Sequence, residues 1–283
     1  MASQSGRPIR GLQDGQVVSL LYHDIFSFPL NKSELVRWSA GDVFKLRSRA
    51  HRVYEEAGEY YLNGKLDLVN KKAKNTFASK KKMRLLSGAA QIFEEMDDIQ
   101  MVAVTGSLAM LAATPEADID LMFITRRGSM WKSRLRAIHS LKKSKIPVRK
   151  AKNLNEQDKL CLNVWMEEGD LILDRKLRSP YTAHEIAQIL PIVNKNNTYK
   201  RFLGENSWAR EYWPNAAEFT SKVRLAGKDR HGLANELAYQ LQRAYMRPKK
   251  TRETVTRSRA FFHPFDWSAR VDAELAKRGV VYR

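Results

Sequence analysis

The 283-residue sequence predicts an α+β protein, and three observations lead there. Apolar runs of strand length recur between residues 100 and 174. Hydrophobic patterns of helical period fill residues 16–58 and 70–96. The last third is polar with helical spacing. These observations divide the chain into an N-terminal module over 1–70, a mixed-sheet core over 71–191 and a helical C-terminal region over 192–283. At about 100–200 residues per domain, the length admits two or three domains. A hydrophobic content of 43% provides their cores and excludes a wholly disordered chain.

In the N-terminal module, QVVSLLYHDIFSF (16–28) is apolar with near-helical spacing. Asn31 followed by Glu34 has the spacing of a capping box and starts a second helix that runs to about Ala40, with Gly41 as its stop. Asp42 would cap a third helix, VFKLRSRAHRVYEEAG, ending at Gly58. Asn63-Gly64, between EYYL and KLDLV, is a hairpin signal of type I′. Three helices and a hairpin follow the order of a winged helix-turn-helix. Lys45, Arg47, Arg49, His51 and Arg52 on the third helix and Lys65 on the wing suit contact with nucleic acid.

One long helix is expected over 70–96. A buried strand over 100–105 then ends at Gly106-Ser107, and a second strand covers Asp118–Thr125. A basic helix follows over 129–143, then a strand over Leu160–Met166. Glu168-Gly169-Asp170 makes a turn into a fourth strand, LILD. The helix Thr182–Leu190 is closed by Pro191, and a final helix covers 230–247, carrying Leu233, Leu237, Tyr239, Leu241 and Tyr245.

Charge narrows the partners. Fifty Lys and Arg against 31 Asp and Glu leave a formal net charge of +19. The surplus is clustered: Arg126–Lys152 holds eleven basic residues and no acid, and Lys71–Arg84 holds seven and no acid. Arg243–Arg259 holds seven more against Glu253. Such blocks repel themselves unless a polyanion compensates, which points to nucleic acid. No apolar run approaches the ~18 residues of a membrane span, and the N-terminus lacks the apolar segment of a secretory signal. The single Cys161 leaves neither an intrachain disulfide nor a cysteine zinc site. A cytoplasmic protein with no membrane partner is expected.

The chemistry concentrates in VAVTGSLAMLAATPEADIDLMFIT. Strand alternation points Asp118 and Asp120 one way while Ile119 and Leu121 enter the core. Two carboxylates side by side call for a cation between them, and hard oxygen ligands suit Mg²⁺ (or Mn²⁺). Gly106 allows a tight turn close to an anion. Ser107 and the following amides can hold phosphate oxygens. Together these parts describe two-metal nucleotidyl transfer.

Apolar-Gly-Ser, ten residues and then Asp-apolar-Asp resembles the signature of the DNA polymerase beta-like nucleotidyltransferase superfamily. The resemblance covers roughly residues 85–190, and the N-terminal module loosely. It is nearest to bacterial nucleotidyltransferase-domain proteins that open with a segment like LLYHDIFSFPL. It implies phosphate-binding roles for Gly106 and Ser107, with Asp118 and Asp120 as catalytic metal ligands. It also implies a third carboxylate on a later strand. In LCLNVWM that position holds Asn163, whose neutral oxygen would hold a second metal less tightly. Glu167, Glu168 and Asp170 are alternatives, although the turn that contains Gly169 suggests that they are solvent-exposed.

Other signals are weaker. His184-Glu185 is half of a zinc motif that fails at Gln188, so His184 reads as structural or as lining the pocket. Tyr181 suits base stacking or core packing. Trp131 and Leu135 would pack a helix on the sheet with its basic residues outward, giving Lys132, Arg134, Lys142, Lys143 and Lys145 as nucleic-acid contacts. AFFHPFDW (260–267) is aromatic enough to stack single-stranded bases or to tether a domain interface.

The expected function is therefore Mg²⁺-dependent transfer of a nucleoside monophosphate from an NTP such as ATP. The expected acceptor is nucleic acid, RNA before DNA. A cationic small-molecule acceptor would be repelled. The rivals are a modifier of protein hydroxyls and a nucleic-acid-binding regulator with a degenerate core.

Overall fold

The computed structural model describes residues 6–47, 51–62, 67–149, 156–219, 232–246, 254–262 and 267–283. The N-terminal part runs β1 (Arg7–Ile9), α1 (Asp14–Ile25), β2 (Leu30–Asn31), α2 (Lys32–Arg37), β3 (Phe44–Leu46), β4 (Val53–Glu56) and β5 (Glu59–Leu62). The capping box forms at α2: Asn31 Oδ1 accepts from the Glu34 N–H at 2.9 Å, and Glu34 Oε2 accepts from the Asn31 N–H at 2.8 Å.

The expected third helix does not form. Its residues supply β3 and β4, and the hairpin turns at Ala57-Gly58 between β4 and β5. Both turn residues have positive φ, at 51° and 80°, as a type I′ turn requires. β4 gains β1 on one side and β5 on the other, and Tyr54 opposes Tyr61 across the strands. Pairing of this kind outweighs a helical period in the sequence. The recognition helix of the winged-helix order is therefore lost. Lys45 sits on β3, Arg47 just beyond it, and the His51 ring Nε2 lies 3.0 Å from the Arg278 carbonyl. Arg49, the Asn63-Gly64 turn and Lys65 lie outside the described residues.

The rest of the chain continues with α3 (Asp67–Glu94), β6 (Ile99–Val104), α4 (Gly106–Ala109), β7 (Ile119–Thr125), α5 (Met130–Lys143), β8 (Leu160–Glu167), α6 (Pro180–Gln188) and β9 (Leu190–Asn194). Then come α7 (Thr198–Glu205), α8 (Leu233–Met246), β10 (Thr254–Val255), β11 (Arg259–Phe261), α9 (Trp267–Lys277) and β12 (Val280–Tyr282). Six strands form one mixed sheet in the order β10-β11-β8-β7-β6-β9, with β7 and β8 parallel and the other pairs antiparallel.

Side-chain alternation gives the sheet two buried faces. Val102, Val104, Leu121, Phe123 and Trp165 share a core with residues of α3, α5 and α8. Met101, Ala103, Met122, Ile124 and Met166 share the other with residues of α1, α6, α7 and α9.

Three further expectations are corrected. The C-terminal region is not simply helical: β9, β10 and β11 join the central sheet, and β12 pairs with β3. LILD forms no strand, and a 3₁₀ turn follows it at Arg175–Leu177. Pro191 does not close the preceding helix, which ends at Gln188; it lies within β9. β9 is an edge strand, where a residue without an N–H costs no ladder bond on its open side.

Candidate metal centre and phosphate turn

Gly106 follows β6 with φ +61°, in the left-handed region that glycine enters freely. A Cβ at this position would lie 3.0 Å from Asp120 Oδ2. Any other residue here would be strained and would crowd Asp120. The Thr105 N–H donates to the Asp120 carbonyl at 3.0 Å, which registers the turn against β7. Ser107 is exposed at the start of α4, while Ile119 and Leu121 are buried on the opposite face.

Asp118 and Asp120 therefore stand together, half-buried, as their spacing requires. One ligand atom from each, with Cys161 Sγ, lies within 4.8 Å of the others. Asp120 is abreast of Cys161 on the parallel neighbour β8. The register of β7 and β8 then slips: Leu121 faces Leu162, but Met122 faces Val164. Asn163 is the extra residue of this bulge, and its Nδ2 donates to Asp120 Oδ1 at 3.1 Å.

The segment after α5 runs beside the start of β8 through a parallel bridge between Val148 and Leu160. This carries Arg149 to the carboxylates: its Nη1 donates to Asp118 Oδ2 at 3.0 Å, and its Nη2 reaches Glu156 Oε1 at 2.5 Å.

Burial pushes Asp120 up to about 6, with Asp118 adding to the rise. Hydrogen bonds from Cys161 and Asn163 and the charge of Arg149 oppose it. Burial and the two carboxylates push the Cys161 thiol up as well. Cys161 is accordingly a neutral donor to Asp120. Its soft sulfur would be a poor third ligand for a hard ion.

A cavity of about 330 Å³ opens beside the turn, lined by Gly106, Ser107, Asp120, Tyr181, Glu185 and Trp267 among others. Glu185 accepts from the Gly106 N–H and from Gln188 Nε2, the latter at 2.6 Å. Burial first, and Asp120 second, push it up to about 8, so at neutral pH it is mostly protonated. The turn thus faces one negative charge fewer than its composition suggests. Sequence reasoning gave Glu185 no role beyond the failed zinc motif. Cys161 was legible from alternation, since it precedes Asn163 by two residues. Arg149 arrives from a loop, and no local signal places it.

The remaining candidates separate. His184 is buried, stacks on Trp38 at 3.8 Å and meets His23 at 3.2 Å. Burial lowers the pKa of both rings, and His23 falls to about 4, so neither carries charge at neutral pH. Tyr181 and Trp267 line this cavity and an adjoining, mostly apolar one of about 420 Å³.

Glu167, Glu168 and Asp170 are not free acids of an exposed turn. Buried Glu167 accepts from the Gly128, Ser129 and Met130 N–H groups, 2.9–3.2 Å away, and so caps α5. Glu168 pairs with Arg201 and Asp170 with Arg259. α5 is anchored by buried Trp131, whereas Leu135 is 40% exposed instead of packing on the sheet. Arg134 is not outward: its Nη1 donates to Gln242 Oε1 at 2.6 Å, and it lies over the Phe262 ring. Lys132 pairs with Asp98 at 3.1 Å. Lys142, Lys143 and Lys145 are exposed.

No protein-family model, no curated protein and no solved structure matches the chain. No described helix is long and apolar enough to cross a membrane.

The bulge makes Asn163 a direct test of the centre. Asn163→Asp replaces a donor to Asp120 with a third carboxylate at nearly unchanged volume. The metal-free variant should melt lower, and Mg²⁺ or Mn²⁺ should restore it more than it raises the wild type. Thermal melts across a Mg²⁺ titration check this. A variant equally destabilised at every Mg²⁺ concentration would show that position 163 serves packing alone.

Proposed function

We propose that the chain is an Mg²⁺-dependent nucleotidyltransferase that moves a nucleoside monophosphate from an NTP to an acceptor hydroxyl, with nucleic acid, RNA before DNA, as the acceptor. The observation that carries this reading is the mutual fit of the Gly106 turn and the Asp118–Asp120 pair. A left-handed glycine whose Cβ would crowd Asp120 abuts one of two adjacent carboxylates, beside a cavity of about 330 Å³.

Asp118 and Asp120 would hold the ion, which when bound neutralises the phosphate charge and favours departure of pyrophosphate. Gly106 and Ser107 would meet the phosphates. Glu185, mostly neutral at physiological pH, does not repel them. In the reaction, the acceptor oxygen bonds to the α-phosphorus and its proton passes to solvent, as the bond to the bridging oxygen breaks and pyrophosphate leaves.

A second reading, a nucleic-acid-binding regulator with a degenerate core, draws on Arg149, Asn163 and Cys161. These already neutralise or hydrogen-bond both carboxylates without a metal. Incubating the protein with each α-labelled NTP, Mg²⁺ and total cellular RNA or protein separates the readings. Label on RNA is the expected outcome. Label on protein moves the acceptor to a protein hydroxyl, and no label with any NTP leaves the regulator.

A further inference from the structure

The long helix α3 has a face whose chemistry the catalytic site does not use. Between Asp67 and Glu94 it carries no acid and seven basic residues. Two of these are consumed inside the fold. Lys72 is buried between Glu34 and Glu59, and Lys82 is bound to Asp158 at 2.6 Å. The other five, Lys71, Lys74, Lys80, Lys81 and Arg84, are exposed and make no ion pair with the described residues.

Phe77 lies among them with 77% of its surface exposed. At spacings of three and four, Lys74, Phe77, Lys81 and Arg84 share one helix face. Twenty-eight residues extend that helix to about 42 Å at ~1.5 Å each. Near its C-terminal end α3 passes the segment after α5, since a Cβ at Gly88 would lie 3.9 Å from Ile146 Cδ1.

We propose that this face binds single-stranded RNA, with the lysines and Arg84 along the phosphates and Phe77 stacked on an unpaired base. Charge complementarity selects a polyanion. The exposed ring selects unpaired bases, because a duplex keeps its base faces occupied. RNA is the nucleic acid that ordinarily offers such segments. A membrane surface fits poorly. Phe77 and Leu85 are the only large apolar residues exposed on α3, while Leu68, Leu86, Ala89 and Phe93 are spent in the core. An interfacial helix needs a continuous apolar face. The inference deepens the acceptor part of the proposed function, and binding is read separately from transfer.

The test is fluorescence anisotropy with a labelled single-stranded oligouridylate, a duplex RNA of equal length and, as a third probe, anionic vesicles. It is run on the full chain and on its Asp120→Asn variant. Phe77→Ala should weaken single-strand binding about 5- to 100-fold with the salt slope unchanged, and Phe77→Trp should restore it. Replacing Lys74, Lys81 and Arg84 together with Gln should lower the slope of log K against log salt by about 2. Asp120→Asn should bind as the wild type does, so lost transfer with retained binding leaves this inference standing. Duplex bound as tightly as single strand, binding to vesicles alone, or indifference of binding to both Phe77→Ala and the triple variant overturns it.

Discussion

Asp120→Asn should abolish nucleotidyl transfer and at the same time raise the melting temperature at pH 7. The two effects come from one carboxylate. Its oxygens stand next to Asp118 and the Gly106 turn, so replacing one with an amide nitrogen removes a hard ligand from the pair. A metal contribution of several kcal/mol to transfer then disappears, which is a loss of about 10³-fold or more. Without metal, the carboxylate works against folding. Its folded pKa of about 6 lies above the ordinary value of 3.8, because burial and Asp118 disfavour the charge. The folded state therefore holds the proton more tightly than the unfolded one. The cost is absent below about pH 4, grows between 4 and 6, and is fully present at pH 7. A shift of about two units corresponds to ~3 kcal/mol, as an order of magnitude. The amide oxygen that the substitution introduces would still accept from Asn163 Nδ2, so packing is preserved. Asp118→Asn should match the loss of transfer. Its stability should change less, because Asp118 has Arg149 as a partner at 3.0 Å. Wild-type transfer by both variants would remove the site assignment. A melting temperature for Asp120→Asn that does not exceed wild type across pH 4–7 would remove the electrostatic account.

The parts that were legible share a local cause. Asp118 and Asp120 were placed together by the two-residue period of a strand, which holds wherever the strand exists. The capping box at Asn31 and Glu34 is a contact three residues apart and needs no distant partner. The failures depend on strand partners that a helical period does not reveal. FKL became β3 because β12 lies against it, more than 230 residues away. VYEE became β4 between β1 and the neighbouring hairpin strand β5. A helical period in residues 43–58 carries no information about either strand. At the site, Asn163 reaches Asp120 Oδ1 through a bulge, which is a register event between two strands and has no local signal. Arg149 and Glu185 come to the centre from a loop and a helix, and only tertiary packing brings them there.

The basic blocks carry the same lesson in energetic form, and Lys82 is its sharpest case. Within the acid-free run 71–84 it reads like its neighbours Lys80 and Lys81, yet it is 1% exposed. Its Nζ donates to the Pro115 carbonyl at 2.9 Å, the Ala117 carbonyl at 2.7 Å and Asp158 Oδ1 at 2.6 Å. The Asp158 N–H donates to the Ala117 carbonyl at 3.2 Å, and the Ile119 N–H to the Lys159 carbonyl at 2.9 Å. This knot ties α3 to the loops entering β7 and β8, one residue before Asp118. Lys82→Ala leaves two carbonyls and a partly buried carboxylate without their cation. It should cost about 3–5 kcal/mol, a fall in melting temperature on the order of 10 °C for a chain of this size. Lys82→Met restores the volume but not the donors, so it should recover only part of that loss. Adding Asp158→Asn to Lys82→Met removes the orphaned charge at a position whose φ of +58° Asn tolerates, and should recover more. Lys81→Ala, one position away on the exposed face, should leave the stability within about 0.5 kcal/mol of wild type while weakening RNA binding. Equal stability of Lys81→Ala and Lys82→Ala would mean that Lys82 is one more solvated cation. The start of β7 would then be held by its strand pairing to β6 and β8 alone, and Lys82 would join the exposed lysines of the binding face.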